Sequence, residues 1–140
     1  MIWCHKTYQE LTRDELFAIA RTRQDVFVVE QKCAYPDLDD RDLFSTHVFA
    51  MENGKVSAYL RYFDRPQEPG VIQIGRVLTA EHGKGLGRCL MEEALRDLRE
   101  KHLYLEAQVY AAGFYERFGF RVVSSPFEED GIPHVCMRRD

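Results

Sequence analysis

Residues 80 to 95 read AEHGKGLGRCLMEEAL, with glycines at 83, 85 and 87 and basic side chains at Lys84 and Arg88 just ahead of an amphipathic run. A loop of this type, entered from a strand and leading into a helix, presents several backbone N–H groups at a helix N-terminus, where the macrodipole adds positive potential. The chemistry that suits it is anion binding, a pyrophosphate above all. Glycines let the backbone approach phosphate oxygens without Cβ clashes, and His82, Lys84 and Arg88 can add charge-assisted contacts. A dinucleotide fingerprint is disfavoured: counted from Gly83 the third glycine place holds Arg88, and from Gly85 it holds Leu90. A Walker loop is disfavoured as well, because Lys84 is followed by Gly85 and no glycine stands five residues before Gly83. Two readings stand side by side: a pyrophosphate cradle, or a left-handed glycine turn edged by solvated basic residues.

The elements that must position this loop follow from periodicity. IWCHKTY reads as a first strand, and LTRDELFAIARTRQDVFVVEQ as a helix started by a capping box between Thr12 and Glu15. In KCAYPDLDDRDLFSTH, Pro36 and aspartates 37, 39, 40 and 42 predict a long exposed loop. HVFAMENGKVSAYLRYF is a hairpin turning at Asn53-Gly54, and VIQIGRVLT is a central strand with room for a bulge at Gly75. From Gly87 to Lys101, residues Leu90, Met91, Ala94, Leu95 and Leu98 form one apolar stripe of a helix. HLYLEAQV is a buried strand running parallel to VIQIGRVLT, AAGFYERFGF a short helix ending at Gly119, and FRVVS with HVCMR closes the sheet. The expected order is β-α-β-β-β-α-β-α-β-β, an α/β domain with a mixed sheet.

A chain of 140 residues fits one domain, 1–140, and its 45% apolar and 30% charged residues are those of a soluble globular protein. A formal charge of −4 argues against nonspecific nucleic-acid binding. No apolar run reaches the roughly 20 residues of a spanning helix, and MIWCHKTYQE lacks the features of a signal peptide, so no membrane is expected and the cytoplasm is the default. Cys4, Cys33, Cys89 and Cys136 contain no CxxC pair and are expected to be reduced, mostly buried thiols, with no metal bound. The aspartates at 37 to 42 miss the EF-hand spacing, since Arg41 takes the third ligand place.

Taken with the downstream strand and GFYERFGF, the loop resembles the GNAT superfamily of acyl-CoA-dependent N-acyltransferases, whose motif here is [QR]-x-x-G-x-[GA]. The matching residues are His82, Gly83, Lys84, Gly85, Leu86 and Gly87, with His82 in the usual Gln or Arg place. A second family pattern, N-x-x-A-x-x-x-Y followed by G-F, appears as Gln108, Ala111, Tyr115 and Gly119-Phe120, with Gln108 replacing Asn. VFVVEQKCAYPDLDDRD, IGRV, FYERFGF and EEDGIPHVCMRR look like the ElaA-like branch of that superfamily and span nearly the whole chain. The resemblance implies a GNAT-like mixed, mostly antiparallel sheet with a central splayed parallel strand pair, flanked by helices. It implies that Val77, Leu78 and Thr79 hold the pantetheine arm through main-chain hydrogen bonds. The loop from His82 through Arg88 would hold the pyrophosphate, and Gln108 would make a polar contact to the arm.

The activity implied is transfer of an acetyl group from acetyl-CoA, as co-substrate, to an amine that attacks the thioester directly, the protein being a monomer or homodimer. The competing function is an acyl-CoA-binding sensor or partner module with little catalysis. Tyr115 matches the tyrosine that the family places beside the thioester sulfur, and is the expected general acid. Some relatives carry a glutamate base on the strand entering the loop; the counterpart here is Gln73, which cannot take a proton at neutral pH but could orient a water. Glu106, His47 and His134 are left unassigned, and Arg76 is either ion-paired or lines the cleft. Acidic residues at 37 to 42 and 128 to 130 motivate a cationic acceptor steered by field.

Overall fold

The structure, a computed structural model, describes residues 1–32, 35–81 and 83–140. The chain divides into two compact units, Met1–Phe63 with Arg76–Arg99, and Asp64–Gly75 with Glu100–Asp140. The described residues form a mixed α/β structure of eight strands, mostly antiparallel, with one parallel pair.

In the first unit, β1 (Ile2–Thr7) pairs antiparallel with β2 (Thr46–Glu52), and β2 with β3 (Lys55–Asp64). Asn53 and Gly54 have φ of 53° and 74°, the pair of positive values that a type I′ turn demands. Helix α1 (Arg13–Arg23) starts from the expected box, the Thr12 hydroxyl accepting from the Glu15 N–H and the Glu15 carboxylate from the Thr12 N–H. The expected helix continues, but Gln24–Glu30 is a π-helix, in which the Gln31 N–H reaches back five residues to the Val26 carbonyl. Ala18, Ile19, Phe27, Phe49, Val56, Tyr59 and Leu78 make one buried cluster. Helix α2 (Leu86–Leu95) is shorter than the stripe predicts: after Leu95 the N–H groups of Asp97 and Leu98 bond three residues back, and the Asp97 carboxylate pairs with His5 Nδ1 at 2.9 Å.

In the second unit the start of β4 (Val71–Thr79) runs parallel to β5 (His102–Gln108), in register from Val71↔His102 to Ile74↔Leu105. β5 pairs antiparallel with β8 (Ile132–Arg139), which also carries β6 (Arg121–Val122) and β7 (Phe127–Glu129). Helix α3 (Ala112–Glu116) lies between β5 and β6 in sequence. β7 is one strand more than the sequence predicts; it is joined to β8 through Asp130-Gly131, again with both φ values positive. The irregularity expected at Gly75 sits one residue on, where Arg76 has φ of 52°.

The segment read as an exposed acidic loop is held by charge instead. Arg23, fully buried on α1, donates from Nε to Asp37 Oδ2 at 2.8 Å, from Nη1 to Asp42 Oδ1 at 2.6 Å and from Nη2 to the Asp37 carbonyl at 2.8 Å. Arg61 on β3 donates to Asp39 Oδ1 at 2.6 Å and to Asp42 Oδ1 at 2.9 Å. Arg76 Nε lies 2.9 Å from Asp37 Oδ1. Asp39 also caps a 3-10 turn at Asp40–Leu43, accepting from the Arg41 N–H. Arg23, Arg61 and Arg76 thus match Asp37, Asp39 and Asp42, while Asp40, next to Arg41 in sequence, stays exposed.

His47 is buried beside the same cluster. Its Nε2 faces the Asp42 carbonyl at 3.0 Å and, since a carbonyl only accepts, carries the proton. Nδ1 then accepts from the Tyr59 hydroxyl at 2.6 Å, whose oxygen accepts from Arg23 Nη1 at 3.3 Å. Burial holds the imidazole below its ordinary value of 6.5, while Arg23 and Arg61 help hold the Asp42 carboxyl below its ordinary 3.8.

Two outcomes follow for stability. Asp42→Asn leaves buried guanidinium groups short of a charge and is expected to cost roughly 3 kcal/mol in urea unfolding. Between pH 7 and pH 5 the unfolded chain takes up a proton at residue 47 that the folded chain refuses, so stability falls as pH falls; the slope over that range should be shallower in His47→Gln.

Candidate active site

The glycine loop and the strand before it belong to the first unit. Gly83 and Gly85 have φ of 79° and 71°, where L side chains are strained, and a Cβ built on either meets no atom within 4 Å. The glycines are therefore required by the turn and leave open space on their outer side. Gly85 is the N-cap of α2, and no side chain caps that helix, in contrast to the box that closes α1. Among the described residues no side chain accepts from the first-turn N–H groups at Leu86, Gly87 and Arg88. Lys84 pairs with Glu81, and Arg88 Nε pairs with Glu92 Oε1 at 2.8 Å, all four side chains exposed. Such surface pairs exchange readily for another anion. His82, the remaining basic residue of the loop, lies outside the described residues.

Val77, Leu78 and Thr79 end β4 just ahead of that loop. The Leu78 side chain is part of the buried cluster, so only its main chain is available to a ligand. The Ala80 N–H is already used, by the Ser57 carbonyl at 2.9 Å.

Gln108 and Tyr115 belong to the second unit. Gln108 is the last residue of β5, partly exposed, and is followed by a 3-10 turn at Val109–Ala111 that leads into α3. Tyr115 is buried on α3, its ring edge-on to Phe114 at 5.1 Å and to Phe120 at 6.2 Å. Burial pushes its hydroxyl far above the usual tyrosine value, so it stays protonated across the physiological range. That state is the one a proton donor needs.

The unassigned candidates divide. Both His47 nitrogens are occupied as described above, and His134 Nδ1 bonds the Ile132 carbonyl at 2.7 Å with the ring stacked on Phe127. Arg76, read as either paired or cleft-lining, is paired. Gln73 is buried on β4 opposite Tyr104 in the parallel register. Glu106 stays exposed and accepts from the Tyr104 hydroxyl at 2.9 Å. Cys4 and Cys136 are partly exposed and Cys89 is exposed, so these three thiols are not the buried groups expected; Cys33 lies outside the described residues. The pairings around Arg23, Arg61 and Tyr104 went unread in the sequence, although an arginine within AYLRYF carried the same signal as Arg76. No helix among the described residues is long and apolar enough to cross a membrane.

Comparison with known proteins gives this geometry its context. The family model described as an acetyltransferase (GNAT) domain matches residues 12–140. The protein ElaA of Escherichia coli is 36% identical over 99% of this chain and 95% of its own, and its crystal structure superposes with a TM-score of 0.92. A UPF0039 protein of Schizosaccharomyces pombe is 41% identical over 96% of this chain and 93% of its own. The crystal structure of an acyl-CoA N-acyltransferase from Pseudomonas aeruginosa, 40% identical, covers both chains fully with a TM-score of 0.94. The uncapped glycine loop, the parallel strand pair and the buried tyrosine are thus features of a chain that belongs to the GNAT superfamily of acyl-CoA-dependent N-acyltransferases, in its ElaA-like branch, and is an enzyme of acyl transfer.

Proposed function

We propose that the 140-residue chain acts as one catalytic domain that transfers an acetyl group from acetyl-CoA to an amine, with direct attack of the amine on the thioester. The observation that carries this reading is the start of α2: a ten-residue helix with no side-chain cap, preceded by two left-handed glycines whose outer side is open. A pyrophosphate supplies the acceptors that the first-turn N–H groups lack, and its charge is favoured by the helix dipole. Gly83, Gly85 and Gly87 admit the phosphates, and Lys84 and Arg88, with His82, neutralise them. The main chain of Val77, Leu78 and Thr79 lines up the pantetheine arm by strand-like hydrogen bonds, and the Gln108 amide meets the same arm.

The chemistry then needs a proton taken from the acceptor ammonium and a proton given to the departing sulfur. Attack of the neutral amine forms the C–N bond as the C–S bond breaks. Tyr115 serves as the acid: its hydroxyl, protonated across the physiological range, gives its proton to the sulfur as the C–S bond breaks. Asp37, Asp39 and Asp42 are paired with arginines, so the exposed Asp40 and the acidic run Glu128 to Asp130 are what support a cationic acceptor.

Release of CoA thiol, followed with acetyl-CoA and a panel of amines, tests the activity. Tyr115→Phe is expected to lower kcat about 100-fold with CoA affinity unchanged; wild-type turnover in this variant would remove Tyr115 from the chemistry. Gly85→Glu sets a carboxylate against the pyrophosphate from a strained position, and CoA affinity should fall on the order of 100-fold. Calorimetric titration with CoA reads this directly, and equal affinity in the variant would dismiss the loop as the pyrophosphate site. Acetyl-CoA binding without amine-dependent CoA release would favour the sensor module.

A further inference from the structure

The one requirement that the proposed mechanism leaves open is the group that deprotonates the acceptor. Gln73, at the place where some relatives carry a glutamate, has no basic site, and both nitrogens of His47 are spent on structure. In the parallel register Gln73 lies opposite Tyr104, so the two side chains share one face of the sheet, and alternation along β5 puts Glu106 and Gln108 on that face too. Cys136 is directly cross-strand from Glu106, and Arg138 from Tyr104.

The Tyr104 ring is held from several sides. The Arg65 guanidinium sits 3.9 Å from its centroid and that of Arg138 5.3 Å away, and both arginines pair with Glu68. So fixed, its hydroxyl donates to Glu106 Oε2 at 2.9 Å, with Cys136 Sγ 3.1 Å behind it. One carboxylate oxygen is thereby held in place on an otherwise exposed side chain, and no described residue bonds Oε1. Along a strand, residues two apart are separated by about 7 Å, so Glu106 stands one repeat from Gln108 on the same face.

We propose that Glu106 is the base of the acyl transfer, taking a proton from the acceptor ammonium, and that Tyr104 is its positioning residue. The inference rests on the proposed function, in which Gln108 and Tyr115 serve the acyl-CoA. The ammonium gives one proton to the Glu106 carboxylate, and the neutral amine attacks the carbonyl carbon. As the C–S bond breaks, Tyr115 protonates the sulfur, and the second proton lost by the nitrogen restores the tyrosine. Glu106, exposed, returns its proton to water. The net products are the amide, CoA thiol and one proton.

Steady-state kinetics with acetyl-CoA and putrescine, Nα-acetyl-lysine and a glycyl peptide as acceptors test this from pH 6 to 9. Glu106→Gln is expected to lower kcat/KM about 100-fold at pH 7. Its rate should then climb about tenfold per pH unit, as free amine forms in solution, while the wild type levels off. A wild-type rate and profile in Glu106→Gln would overturn the assignment. Tyr104→Phe should cost about tenfold in the wild-type background and nothing further in Glu106→Gln, because residues acting as a unit are non-additive. Equal losses in both backgrounds would make Tyr104 merely structural and overturn its positioning role. Protection by acetyl-CoA against thermal unfolding, measured in each variant, should persist. If the wild type itself releases no CoA with any of these amines, the proposed function fails and this inference falls with it.

Discussion

The buried pairing of Arg23 with Asp37 and Asp42 is the constraint on which the first unit depends. A guanidinium with no exposed surface is costly alone, so the packing of α1 and the placement of Asp37 and Asp42 depend on each other. Arg61 and Arg76 then tie that segment to β3 and to the end of β4. The strand that leads into the glycine loop is in this way braced by residues scattered from position 23 to position 76.

The glycine loop shows the opposite economy. Where α1 is closed by its own side chains, α2 opens at Gly85 with no side-chain cap among the described residues. Protein interiors satisfy such groups, and surfaces leave them to water or to a ligand. A helix start left open next to two glycines in the left-handed region is hydrated when empty and is the kind of end at which an anion binds. The second unit concentrates its own polar groups on one face of β5 and β8, with Leu103, Leu105, Ala107, Val135 and Met137 filling the other.

Much of the fold is legible in the residues because it is locally encoded. The Thr12 and Glu15 box, the Asn53-Gly54 turn, the parallel pairing of HLYLEAQV and the apolar stripe of α2 each rest on neighbours in sequence or on one periodicity. What could not be read depends on distant partners. Of four aspartates within six residues, three look solvated until Arg23, Arg61 and Arg76 arrive from three other elements, and Asp40 alone stays exposed. Asp130-Gly131 carries the same turn signal as Asn53-Gly54, but a strand of three residues, Phe127–Glu129, is too short for alternation to announce it. The positive φ falls on Arg76 beside a glycine that composition alone would choose. Of the candidate site, the left-handed glycine turn is legible in its spacing, whereas the hydrogen bond between Tyr104 and Glu106 only emerges once arginines clamp the ring.

The charges of this chain fall into two populations that respond differently to ionic strength. Desolvated pairs such as Arg23 with Asp42 lie where mobile ions do not reach, and their attraction persists in concentrated salt. The exposed pairs beside the glycine loop, Lys84 with Glu81 and Arg88 with Glu92, are screened within the first tenths of a molar. Raising salt therefore loosens the rim of the loop while the scaffold that holds its strand stays rigid, so the same molecule is electrostatically soft at one end of β4's second half and hard at the other.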